Sequence, residues 1–159
     1  MMKGIEMSRG LVSICSTLVF TSLVFAHCQV PCGIYGDQLR FEQLLEDEKT
    51  ISKAQVQLNE LGDGVIDAQA VNQMGRWINT KEEHATKIQQ TIASYFMAQR
   101  IKTDNPKYVQ QLTAAHAVML HAMKCKQSAD PASAKALEKA IFDFYRAYEG
   151  KEPDFDHTH

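Results

Sequence analysis

The sequence predicts an all-α chain, an antiparallel four-helix bundle preceded by an irregular N-terminal segment. Three observations predict it. After Tyr35, apolar residues step by three and four along almost the whole chain. No segment sustains the period-two alternation of a half-buried strand. The connections are short and marked by Gly, Asp and Pro, which favours antiparallel neighbours. At 159 residues, with 45% hydrophobic and 23% charged residues, the chain has the composition of one folded domain.

Asp37 is placed to cap a first helix running to about Leu61, with Phe41, Leu44, Leu45, Ile51, Ala54, Leu58 and Leu61 on its apolar face. Gly62-Asp63-Gly64 stops it. A short segment from Asp67 to Ile78 carries Val71, Met74, Trp77 and Ile78. Thr80 and Glu83 have capping-box spacing and open a helix through Ile88, Ile92, Tyr95 and Phe96 to about Ile101. Asn105-Pro106 starts the next, with Val109, Leu112, His116, Met119 and Met123 on one face. Asp130-Pro131, a cap followed by proline, starts the last, which carries Leu137, Ile141, Phe144, Tyr145 and Tyr148. The bundle is thus expected over 37–150, with 151–159 a polar, flexible tail. The Glu46-Asp47-Glu48 run reads as a solvated helix face, His84 as solvent-facing and Cys125 as a half-buried thiol.

Composition excludes several classes of function. The net charge is −2 and Lys and Arg are dispersed, so the basic stripe of a nucleic-acid binder is missing. Gly-rich phosphate loops and Gly-x-Ser-x-Gly elbows are missing too. Residues 1–26 read as a cleaved leader. Lys3 and Arg9 precede an uncharged run, Leu11 to Phe25, which is short for a membrane span but suits a signal peptide. Val24-Phe25-Ala26 offers small residues for cleavage before His27. The expected destination is the periplasm or the exterior, with no membrane attachment after cleavage. A pro-segment on a cytoplasmic protein is the alternative.

Cleavage leaves Cys28, Cys32 and Cys125, an odd number that does not suit a disulfide scaffold. The new terminus reads His27-Cys28-Gln29-Val30-Pro31-Cys32-Gly33-Ile34-Tyr35. Its free amine, the Cys28 amide nitrogen and the Cys28 thiolate would close two fused five-membered chelate rings. Cys32 reaches the fourth planar position if Val30-Pro31 turns the chain back, which leaves the His27 imidazole for an axial site. Planar nitrogen and sulfur donors suit nickel(II) or copper(II), whereas zinc prefers a tetrahedron. Donor chemistry alone leaves nickel and copper open.

His-Cys-x-x-Pro-Cys-Gly-x-Tyr at a processed terminus resembles the metal hook of nickel-containing superoxide dismutases. His27, Cys28, Pro31, Cys32, Gly33 and Tyr35 match it. The mature length, the helical pattern and Ser94-Tyr95-Phe96 extend the resemblance to about residue 149. It implies a nickel hook over 27–36, with one nickel per chain held by His27, Cys28 and Cys32. Tyr35 would order water or superoxide, and Pro31, Gly33 and Glu42 would stand behind the ligands, Glu42 bonded to the axial imidazole. It implies disproportionation of superoxide to oxygen and hydrogen peroxide by Ni(III)/Ni(II) cycling, maturation by a peptidase, and a homohexamer of four-helix bundles. The chain departs from the pattern at Gln29, where members often carry Asp, and at Gly36-Asp37, where they often carry Asp-Pro. An arginine that members place near the start of a middle helix falls on Thr80 here, and its role is not carried over to Arg76 or Lys81.

Two other readings use the same residues. An exported nickel or copper carrier or sensor would use the terminal chelate without turnover. A structural bundle would join Cys28 to Cys32 as a disulfide.

Overall fold

A computed structural model describes residue 34 and residues 36–155 of the chain. These residues are helical, with no strand among them. Helix α1 spans Asp37–Asp63 and α2 spans Ala68–Gln90. The chain then continues without a break into a π-helix, Thr91–Arg100. Helices α3, Tyr108–Gln127, and α4, Pro131–Glu149, complete the fold. Each helix packs on two others: α1 on α2 and α4, and α3 on α2 and α4. The short connections return the chain between successive helices, as in a helical bundle.

The helix ends follow from local chemistry. The Asp67 carboxylate accepts from the Ala70 amide at 2.7 Å and caps α2. Asp130 accepts from the Ala132 amide at 2.9 Å, with Pro131 in the first turn of α4. Gly150, at φ +74°, closes α4 in the left-handed conformation that glycine tolerates best. Asn105 starts no helix directly. Its side chain accepts from the Lys107 amide, and α3 begins one residue later.

The core runs the length of the helices and changes character along it. Near the start of α1, Phe41 packs against Phe96, Phe144 and Tyr145 with ring centroids 4.8 to 5.2 Å apart. Farther along, Ile51, Ile88, Val118, Ala122, Leu137 and Ile141 fill the interior. Each large side chain fully removed from water contributes roughly 1.5–3 kcal/mol. Gln55 crosses this region, and its Nε2 donates to Ser133 Oγ at 2.8 Å and to the Ser128 carbonyl at 3.2 Å. Asn59 reaches the Ala129 carbonyl at 2.8 Å, so α1 is tied to the α3–α4 connection.

Five sequence expectations are corrected. Thr80 lies inside α2 and opens no helix. No Gly or Pro interrupts residues 76–83, so the helix has no reason to stop there. The inner face of α3 is Gln111, Ala115, Val118, Ala122 and Cys125, whereas Val109, His116 and Met123 are exposed. Small residues face inward there because α3 lies against both α2 and α4. Glu48 is buried on α1, at 4% exposure, in register with Phe41, Leu44, Leu45 and Ile51. His84 is half-buried, with Nδ1 2.6 Å from Asp47 Oδ1. Cys125 is wholly buried. Within the tail, Phe155 lies on Tyr145 and Phe142, with centroids 4.9 and 6.2 Å away.

Candidate metal centre

His27, Cys28, Pro31, Cys32, Gly33 and Tyr35 lie outside the described residues. Glu42 is the one sequence-predicted site residue that is placed. It sits half-buried on the second turn of α1 and accepts a hydrogen bond from Gln38 Nε2 at 3.2 Å. It therefore stands on the same end of the bundle as the point where residues 27–36 join α1.

That end carries a polar network built from three elements. Gly36 occupies the N-cap position of α1 and supplies no side-chain cap. Asp37, expected to cap the helix, is its first residue, and its carboxylate is turned to side chains of other elements. Tyr95 of the π-helix donates to Oδ1 at 2.5 Å. Tyr148 of α4 donates to Oδ2 at 2.8 Å. Arg100 Nε lies 3.0 Å from Oδ1, and Arg100 Nη2 donates to the Tyr95 hydroxyl at 2.9 Å. Tyr145 donates to Gln38 Oε1 at 3.3 Å, which ties down the next residue of α1. Arg40 and Arg100 place their guanidinium carbons 5.4 and 5.0 Å from the Tyr95 ring centre.

The electrostatics follow from this packing. Burial first, and the Asp37 carboxylate second, push the Tyr95 and Tyr148 phenols above the ordinary tyrosine value. Both therefore stay protonated and act as donors. The Tyr95 hydroxyl, followed by the Asp37 charge, raises Arg100, which stays cationic. Sequence reasoning noted Asp37 as a cap and Ser94-Tyr95-Phe96 as a stretch, but missed the cluster. The available signal was two tyrosines on apolar helix faces, since a buried phenol needs a polar partner.

The other candidates do not build a metal site. Among the described residues, no three His, Cys, Asp or Glu side chains converge to hold an ion. His116 is exposed, and His121 is half-buried in a shallow cleft with Ala136, Lys139 and Asp143. Lys81 is 4% exposed and its ammonium donates to the Cys125 and Lys126 carbonyls at 2.7 and 2.5 Å. It caps the end of α3, so it is committed to the frame.

The family model described as nickel-containing superoxide dismutase matches residues 22–152. The chain belongs to the nickel-containing superoxide dismutase family. The matched span takes in the His27–Tyr35 motif and all four helices. The protein is accordingly an oxidoreductase acting on superoxide, with nickel as its cofactor. Comparison with curated proteins and with solved structures found no match. No helix among the described residues is long and apolar enough to cross a membrane.

Proposed function

We propose that this superoxide dismutase holds its nickel at a processed N-terminus beginning with His27. The observation that carries the reading is the family match across His27–Tyr35, where the chain concentrates its nitrogen and sulfur donors. The want of a converging donor group among the described residues supports the same location.

The donor set fits the ion. His27 would offer its amine and imidazole, Cys28 its backbone nitrogen and thiolate, and Cys32 its thiolate. Anionic sulfur and nitrogen donors suit nickel and would stabilise its oxidised state. When bound, nickel cycling between Ni(III) and Ni(II) would supply the two one-electron steps that convert two superoxide ions to oxygen and hydrogen peroxide. The chain supplies the rest. Tyr35, three residues past Cys32, would order water or superoxide and hand on protons. Pro31 and Gly33 would shape the turn behind the ligands, and Glu42 would fix the His27 ring through a hydrogen bond.

The apolar run Leu11–Phe25 supports export to the periplasm or the exterior, with a maturation peptidase cutting after Ala26. Assembly into a homohexamer is proposed from the family. Val65 and Ile66, exposed at the α1–α2 turn, and Val71 and Ile78, exposed along α2, support burial against other copies.

The test is to lengthen the mature chain by one residue ahead of His27. The amine becomes an amide, so nickel-dependent turnover is expected to be lost while the helical circular dichroism is kept. An extended chain that dismutates superoxide at the parent rate would overturn the assignment.

A further inference from the structure

We propose that Asp37 is the anchor of the N-terminal segment. Its carboxylate, gripped by Tyr95, Arg100 and Tyr148, fixes where residues 27–36 leave the bundle and so positions the donors on them. The inference rests on assigning the nickel ligands to His27, Cys28 and Cys32.

Four observations carry it. Asp37 is the first residue of α1 and stands five residues after Cys32. Five residues reach at most about 18 Å, so freedom at this root passes directly to the ligands. Its carboxylate makes contacts that α1 itself does not need. Three groups from two other elements converge on it within 3.0 Å.

The π-helix supplies part of the grip. Tyr95 and Arg100 are five residues apart, and the i to i+5 register of a π-helix brings such residues together. An α-helical continuation would turn Arg100 away from the Tyr95 hydroxyl. π-Helical stretches are rare and recur at functional sites, and here the irregularity builds the anchor.

The floor under the anchor is closely packed. Tyr148 lies on Phe41 and Phe96, with centroids 5.8 and 5.4 Å away. Phe96 meets Phe144 edge-on at 4.9 Å. The tyrosine hydroxyls are thus held at fixed points, and Asp37 is held by them. The Asp37 and Arg100 side chains keep 28% and 29% of their surface, so the pair lies at the rim of the bundle and not in its core. A rim pair of this kind adds little to global stability, which suits a positioning role.

The experiment compares Asp37→Asn, Tyr148→Phe and a core control, Ile141→Val, in the naturally processed chain. Nickel is titrated and followed by thiolate-to-nickel charge-transfer absorption. Amide exchange of residues 32–36 is followed without metal, beside thermal unfolding. Asp37→Asn is expected to weaken nickel binding roughly 10-fold or more, as loss of a ligand-orienting group does. Exchange at residues 32–36 should rise while α3 exchanges as before. Tyr148→Phe should do the same to a smaller extent, which decides the matter if Asp37→Asn does not fold. Ile141→Val should lower the unfolding temperature and leave nickel affinity and local exchange unchanged. Unchanged affinity and exchange in Asp37→Asn would overturn the anchor, as would an equal loss of affinity in Ile141→Val. If the parent binds no nickel, the ligand assignment fails, and faster exchange at residues 32–36 alone upholds or, if absent, overturns the anchor.

Discussion

Glu48 sits where a charge is costly. It occupies the core register of α1 between Leu45 and Ile51. Burial foremost, then repulsion from Glu138 on α4, pushes its carboxyl up to about 7, against a smaller opposing pull from Lys49. The folded state therefore binds a proton more tightly than the unfolded chain, whose carboxyl titrates near 4.5. Its contribution is complete below that value and is lost as pH rises toward 7. Glu48→Gln should remove this dependence and make the chain more stable at pH 8 by roughly 1–3 kcal/mol. Denaturant unfolding of parent and variant at pH 5 and pH 8 measures it, and equal pH dependence in the two would contradict it. The position was illegible because two acidic neighbours disguised it. Glu46 faces solvent and Asp47 turns to His84, so three adjacent acids occupy three different settings. The apolar period through Phe41, Leu44, Leu45 and Ile51 was the better guide, since it passes through 48.

At the level of the elements, strong caps were legible and weak ones misled. Asp130-Pro131 starts α4 as its sequence indicates. Thr80 and Glu83 have the spacing of a capping box but lie inside α2, where the backbone amides already have helical partners. The two sites should separate in a stability measurement. Asp130→Ala should cost about 1 kcal/mol, the usual worth of an N-cap. Thr80→Ala should change stability by less than about 0.5 kcal/mol, with alanine the better helix former. Urea unfolding of both decides it, and a full cap-sized loss at Thr80 would argue for a break in α2. The face of α3 was misplaced for a related reason. Large apolar residues such as Val109 and Met123 drew attention, while the inner face is lined by Gln111, Ala115, Val118, Ala122 and Cys125. The tyrosines signalled that a polar partner was needed, but the π-register of Thr91–Arg100 has no composition signal, so which groups meet Tyr95 was seen only in three dimensions.

For the whole molecule, the helical architecture was readable from periodicity, and the family was readable from nine residues, His27–Tyr35, that lie ahead of the first helix. In the reading proposed here, the bundle offers the nickel segment a closely packed end. Its aromatic floor, the Asp37 network and Glu42 all gather where the N-terminal segment joins α1. The opposite end is longer than the α3–α4 pair requires. Helix α1, at 27 residues, spans about 40 Å, whereas α3, at 20, spans about 30 Å. Exposed Val65 and Ile66 follow it at the turn, at 88% and 61% exposure, the kind of surface that copies of a chain bury against one another. The division of labour is clear in physical terms. Side chains on the helices hold a frame, and among the described residues no three His, Cys, Asp or Glu side chains converge to hold an ion; the ligands proposed above are the amine, imidazole and thiolates of a processed terminus.

Processing at His27 would create the nickel ligand set. Intact mass and metal content of the protein purified from its native host test it most directly. The expected result is a chain beginning at His27 that carries one nickel and dismutates superoxide. A chain beginning elsewhere, or one carrying copper, zinc or a Cys28–Cys32 disulfide in place of nickel, would contradict it.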